Sequence, residues 1–250
     1  MKTTRAVVFA LSAAGVAVVL AGCAGGAKAP SAPAPAGSVV DSGIQVMGGH
    51  EAWREVESIA AVAVVTSYDE KGQAYISRQR HLIDLAKGTI SARGRTPGGA
   101  WTVEVSLDES QKARARGFGA DLAGKKLTLA SLEILVHRVR GPLNFLFSQE
   151  RPRSKAAARI DGVDVIRIGV GGDNRRALAY YFDEKTRLLR FLTSGGDRPA
   201  DEGTVTVYTY MMLPNGLAFP QTIRVVKIGA NALIGRTPIL EVTFSDVSFG

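Results

Sequence analysis

The chain carries one cysteine, Cys23, and three histidines, His50, His81 and His137. A thiolate is among the strongest nucleophiles a side chain can offer, so covalent chemistry is expected at Cys23 before anywhere else. Small residues, Ala21 and Gly22, stand directly before it and leave that peptide bond open to a peptidase. The histidines fall in three different segments, with no second His or Cys at metal-ligand spacing. Asp161, Asp164, Asp173 and Asp183 sit at expected turns or strand edges. No GxSxG elbow, P-loop or GxGxxG with a flanking strand and helix is present. The sequence therefore predicts no catalytic centre, no metal and no cofactor. A lone cysteine also excludes an intrachain disulfide, which places stability on an apolar core.

The elements around Cys23 explain its chemistry. Lys2 and Arg5 form a basic start, and Ala6 to Leu20 is a continuous run of small and apolar residues. That run is too short to cross a bilayer of ~30 Å comfortably. Leu20-Ala21-Gly22-Cys23 follows at once and resembles the bacterial lipobox, whose thiol is alkylated by diacylglycerol before cleavage. Residues 1–22 are thus expected to be a lipoprotein signal peptide, with Cys23 the lipid-bearing first residue of the mature chain. Two or three acyl chains there make a stable anchor where one would not. Ala24 follows the cysteine. The absence of aspartate at that position resembles the sorting signal for the outer membrane, facing the periplasm. Residues 23–38 are rich in Pro, Ala, Gly and Ser and are expected to act as an extended tether. Residues 39–250 are expected to form one domain.

Within that domain, short stretches of β-type alternation dominate. The first group is Ser58 to Asp69, Tyr75 to Leu85, Thr89 to Arg95 and Trp101 to Leu107. In the last of these Trp101, Val103, Val105 and Leu107 alternate with Thr102, Glu104 and Ser106. The second group is Val163 to Val170, Leu178 to Asp183, Leu188 to Thr193, Thr204 to Leu213, Leu217 to Ile228 and Ile239 to Phe249. Pro214-Asn215-Gly216 is the strongest turn signal among them. Connections this short exclude parallel crossovers, so an antiparallel meander is expected. His50 to Glu57 reads as a short helix. Between the two groups, Leu132, Leu135, Val136, Val139, Leu143, Leu146 and Phe147 recur at helical spacing. Gly141-Pro142 divides that stretch into two helical pieces, Leu129 to Arg140 and Pro142 to Phe147.

Four stretches resemble a known family. They are Gly48-Gly49-His50-Glu51-Ala52-Trp53 leading to Ser58-Ile59, the helix ending in Gly141-Pro142-Leu143, Tyr181 through Arg190, and Asn215-Gly216-Leu217-Ala218-Phe219-Pro220. Their order is similar to that of the LolA/LolB-like carriers and receptors of outer-membrane lipoproteins. The resemblance implies an α+β fold, a curled antiparallel β-sheet (a half-open β-barrel) covered by a helical lid. It also implies acyl chains, such as palmitate, held in the enclosed cavity. An anchor at Cys23 is more like the membrane-bound receptor than the soluble carrier.

A half-barrel under an apolar helix could shelter an acyl chain, gaining ~25 cal/mol per Å² of apolar surface buried. Leu132, Leu135, Val139, Phe145 and Leu146 are the candidate ligand-binding residues. The alternative is that they complete a packed core. Lys87 to Arg159 holds 14 Lys+Arg against 6 Asp+Glu, so the basic excess is concentrated in the central third. Arg114, Arg116, Lys125, Lys126, Arg138 and Arg140 are candidates for headgroup or partner contact, or form a solvated basic face. Membrane phosphates suit this charge better than nucleic acid does, since a tethered exported protein rarely meets nucleic acid. The expected partners are lipid or lipoprotein acyl chains and the membrane itself, for a monomeric protein. The competing expectation is a non-enzymatic scaffold lipoprotein with a filled core and a basic docking face.

Overall fold

The computed structural model describes residues 35–96, 99–108, 112–117, 125–148, 151–170, 178–194, 203–228 and 234–250. The signal segment, Cys23 and the expected tether up to residue 34 lie outside the described residues. Residues 34–250 make a compact unit by themselves. Every described strand, every described helix and both apolar clusters belong to it.

Twelve strands among the described residues form one antiparallel sheet, most of them marked by alternation of apolar and polar side chains. They are β1 (Ile59–Tyr68), β2 (Ala74–Asp84), β3 (Thr89–Thr96), β4 (Gly99–Leu107), β5 (Ala113–Arg116), β6 (Ser154–Ile160), β7 (Val163–Val170), β8 (Leu178–Asp183), β9 (Leu189–Ser194), β10 (Gly203–Met212), β11 (Ala218–Ile228) and β12 (Ile234–Phe249). Four helices accompany them among the described residues: α1 (Ala36–Val46), α2 (His50–Arg54), α3 (Lys125–Arg138) and α4 (Asn144–Phe147), with a 3-10 turn at Gly141–Leu143. The order across the sheet is β5-β4-β3-β2-β1-β12-β11-β10-β9-β8-β7-β6. Each half is a meander, and the first and last strands join the halves, with Val64 opposite Thr243.

This order dictates where the helices go. β5 and β6 are the two edges of an unclosed sheet, yet they are consecutive in the chain. Laid flat, twelve strands would put those edges about 50 Å apart. The segment linking them must cross the sheet, and it carries α3, the 3-10 turn and α4. Curling of the sheet shortens that path, and one face of nearly every strand then shares a single apolar cluster. Trp101 of β4, Val242 of β12, Ile168 of β7 and Leu135 of α3 all belong to it.

Several elements depart from the sequence expectation. α1 begins at Ala36, inside the stretch read as tether, and buries Val39, Val40 and Ile44. Its Gly43 lies where a Cβ would come within 2.6 Å of Phe182, so the helix docks through an absent side chain. β5 and β6 were not anticipated either. Their Arg-Ala and Ala-Ala runs are exposed on both faces, and such strands show no alternation. A smaller apolar cluster, including Val165, Tyr181, Phe191, Val205 and Val226, belongs to the opposite face of the β6–β12 half.

Gly94 of β3 stands opposite Trp101 of β4, and a Cβ on it would overlap the indole ring. Gly94→Ala is expected to cost ~1–3 kcal/mol, because an indole in a packed core cannot step aside. A lowered urea midpoint with an unchanged slope would register it.

Candidate functional site

The helix α3 lies against β1, β3, β4 and β5. Leu132, Leu135, Val136 and Val139 face that surface and are buried, Leu132 and Val136 to 0% exposure. Zero accessible area means that no water-sized void adjoins those side chains. Ser131 sits among them, and its hydroxyl meets that of Ser67 on β1 at 2.6 Å. That single hydrogen bond satisfies two buried hydroxyls that would otherwise be costly to cover.

Beyond α3 the chain is fastened by a cluster of polar contacts. Tyr208 donates from its hydroxyl to the Arg138 carbonyl at 2.9 Å. Arg140 donates from Nη2 to the Ala86 carbonyl at 3.0 Å. Asn144 donates from Nδ2 to the Tyr180 hydroxyl at 3.0 Å. The bend between these contacts depends on Gly141, whose φ of 50° lies in the left-handed region, and on Pro142 behind it. Phe145 packs on Tyr180 with ring centroids 4.6 Å apart. Phe145, Leu146 and Phe147 remain half-buried, so this end of the cover borders solvent.

Beside the bend lies a pocket of about 290 Å³, lined among others by Asp183, Leu188, Leu189, Arg190, Tyr208 and Tyr210. The Tyr210 hydroxyl is buried and has no hydrogen-bond partner among the described residues. Burial pushes both tyrosine hydroxyls well above the ordinary phenol range, with the neighbouring Tyr208 adding to the effect on Tyr210. Both are neutral hydrogen-bonding groups at any physiological pH.

A polar strip runs down β2 on the same covered face. Gln79 and His81 are each 2% exposed. Gln79 donates from Nε2 to the Ser77 hydroxyl at 2.8 Å, and its Oε1 faces His81 Nε2 at 2.7 Å. With Oε1 as acceptor, Nε2 of the ring carries the proton, and Nδ1 presents a buried lone pair without a partner among the described residues. The ring edges against Phe244, and burial pulls its pKa down to about 4. His81 is neutral in the folded protein above that pH.

The sequence matches no protein-family model and no curated protein sequence. Among solved structures, a LolA superfamily protein from Nitrosomonas europaea is similar with a TM-score of 0.51. The match covers 87% of this chain and 94% of that one at 10% sequence identity. The fold is LolA-like. A DUF1329 family protein from Desulfovibrio piger is similar at a TM-score of 0.49 and 9% identity, covering 86% of this chain and 93% of that one. Identities this low concern the fold alone.

On the LolA-like sheet the anticipated residues separate into distinct places. Leu132, Leu135 and Val139 come together beneath α3, with exposures of 0–2%. Phe145 and Leu146 stand at the half-buried border of the cover. Arg114 and Arg116 are exposed on β5, whereas Arg138 and Arg140 are buried at the bend and not on an outer rim. The aliphatic stems of long cations pack readily, which lets arginine fasten a helix end. Lys125 and Lys126 open α3, and their side chains lie outside the described residues, as does Cys23. Ser67, Ser131, His81, Tyr208 and Tyr210 were not anticipated. Each looks unremarkable in its own segment, and only register and helix docking bring them to one face.

Proposed function

We propose that this chain is a lipid-anchored, non-enzymatic protein of the bacterial cell envelope. It takes up acyl chains of lipids or lipoproteins on the sheet face now covered by α3, the 3-10 turn and α4. The observation that carries this reading is how that cover is held. Its apolar side chains contribute non-directional burial, while its polar fastenings include Ser131–Ser67 in the middle and three contacts at the bend. An acyl chain replacing α3 would exchange one apolar partner for another, so little hydrophobic energy need be lost on opening. The lipobox-like Leu20-Ala21-Gly22-Cys23 keeps the domain within tether reach of a bilayer, where such chains are found.

In this reading Leu132, Leu135 and Val139 contact the ligand after the cover lifts, and Phe145 and Leu146 line the entrance. Arg114, Arg116, Lys125 and Lys126 meet headgroups, while Arg138 and Arg140 hold the hinge. The protein acts as a monomer at the periplasmic side of the outer membrane.

Ser67 and Ser131 give the test. Their hydroxyls are 2.6 Å apart, close to the ~2 Å that a disulfide spans. In residues 34–250, which lack Cys23, Ser67→Cys with Ser131→Cys supplies the only thiols. Oxidation is expected to reduce uptake of a fluorescent fatty acid at least tenfold, and reduction to restore it. Equal uptake in both redox states, or none by the unmodified domain, overturns the reading. The absence of any void beside Leu132 and Val136 favours a second one, a scaffold with a permanently filled core. That alternative predicts no uptake and a salt-sensitive contact with a protein or cell-wall partner.

A further inference from the structure

The face of the sheet turned away from the helices carries a second feature. Of the five pairs of arginines separated by one residue, three lie on strands of this half of the sheet, at Arg78 and Arg80, Arg93 and Arg95, and Arg114 and Arg116. A spacing of two puts both members of a pair on one side of a strand. Inward-facing neighbours settle which side. Gln79 and His81 on β2, Ala92 on β3, and Val103 and Val105 on β4 are buried. The arginines of β2 and β3 therefore point outward, and so do Thr102, Glu104 and Ser106 of β4. Arg114 and Arg116 join them, opposite Ser106 and Glu104. All six arginines are exposed.

Two properties mark this surface as more than a solvated face. First, Arg80 stands directly opposite Arg93 across the β2–β3 ladder. Like charges in that position destabilise a sheet. None of Arg78, Arg80, Arg93 and Arg95 has a carboxylate partner among the described residues. Second, the same face exposes Ile76 to 71%, Leu82 to 50% and Val64 to 41%. Val64 lies opposite Arg78 and Leu82 opposite Ser91, so apolar and cationic side chains interleave.

We propose that this outer face of β1–β5 docks flat on a bilayer containing anionic phospholipids. Arg78, Arg80, Arg93, Arg95 and Arg116 meet headgroup phosphates through their guanidinium forks, Arg114 being already engaged by Asp108 at 3.0 Å, and Ile76, Leu82 and Val64 enter the interfacial layer. A soluble polyanion would use the charge and leave those three apolar side chains in water. The proposal shares only Arg114 and Arg116 with the acyl-uptake reading and otherwise uses the opposite face of the sheet, so each can fail without the other.

The test is co-sedimentation of residues 34–250 with vesicles of phosphatidylcholine alone or with phosphatidylglycerol added. Binding is expected only to the phosphatidylglycerol vesicles and to weaken steeply with added salt. Arg80→Glu with Arg93→Glu should lower the partition coefficient by more than tenfold, at about fivefold for each cation removed. Ile76→Ser with Leu82→Ser should lower it as well while leaving the salt dependence in place. Arg93→Glu alone replaces a like-charge pair with an opposite one. It should weaken vesicle binding and yet raise Tm by about 1–2 °C, an outcome that misfolding cannot imitate. Equal binding to both kinds of vesicle overturns the proposal. So does unchanged binding by the arginine variants, or binding to soluble polyphosphate with none to vesicles.

Discussion

Leu135→Glu is expected to unfold the domain. Leu135 is 1% exposed on the face of α3 that meets β1, β3, β4 and β5, inside the main apolar cluster. Removing a buried leucine costs ~2–5 kcal/mol, and the carboxyl group that replaces it must be buried protonated or drag the helix into solvent. The sum approaches the whole stability of an ordinary domain, ~5–15 kcal/mol. Leu146→Glu, at the half-buried border of the cover, should cost far less because its carboxylate reaches water. Urea unfolding of the two variants side by side makes the measurement. A near-native midpoint for Leu135→Glu would mean that the side chain faces open space, contrary to the packing seen here.

His81 should make the domain sensitive to acid between about pH 6.5 and pH 4. Its pKa falls from 6.5 to about 4 on folding, through burial. Between those values the unfolded chain holds one more proton than the folded one, so stability rises with pH across the window. The contribution is complete above about pH 6.5 and lost as pH falls to about 4. Its size is ~3 kcal/mol, from ~1.4 kcal/mol for each pH unit. His81→Leu removes the titrating ring and also the lone pair that has no partner at Nδ1. Unfolding free energies of the two proteins at pH 7 and pH 4.5 should differ chiefly at the lower pH. Parallel pH profiles would place the imidazole in contact with water.

The same physics explains which elements were legible. Strands half-buried in the sheet announce themselves by alternation, and β1, β4, β8, β10 and β11 stand close to where their residues predict. The interrupted helix over the sheet was equally plain, because Gly141-Pro142 breaks a continuous apolar stripe. α1 was not, since Gly37, Ser38 and Gly43 give it little intrinsic helix preference. Burial of Val39, Val40 and Ile44 stabilises it, with Gly43 permitting close approach to Phe182. Short edge strands such as β5 and β6 escape notice for a different reason: neither face is consistently buried.

The sequence by itself determined the antiparallel character of the domain and the apolar stripe of Leu132, Leu135 and Val139, and it raised the expectation of lipidation at Cys23. It also contained the three arginine pairs, because a period of two is a local property of a strand. Tertiary structure alone decided that β2, β3 and β5 lie on one side of β1, so that those pairs share a face. It alone set Ser67 against Ser131, left His81 without a partner at Nδ1, and buried Arg138 and Arg140 at the bend. Periodicity reports which side of an element meets the core. Strand order and register, which depend on residues far apart in the chain, report what waits there.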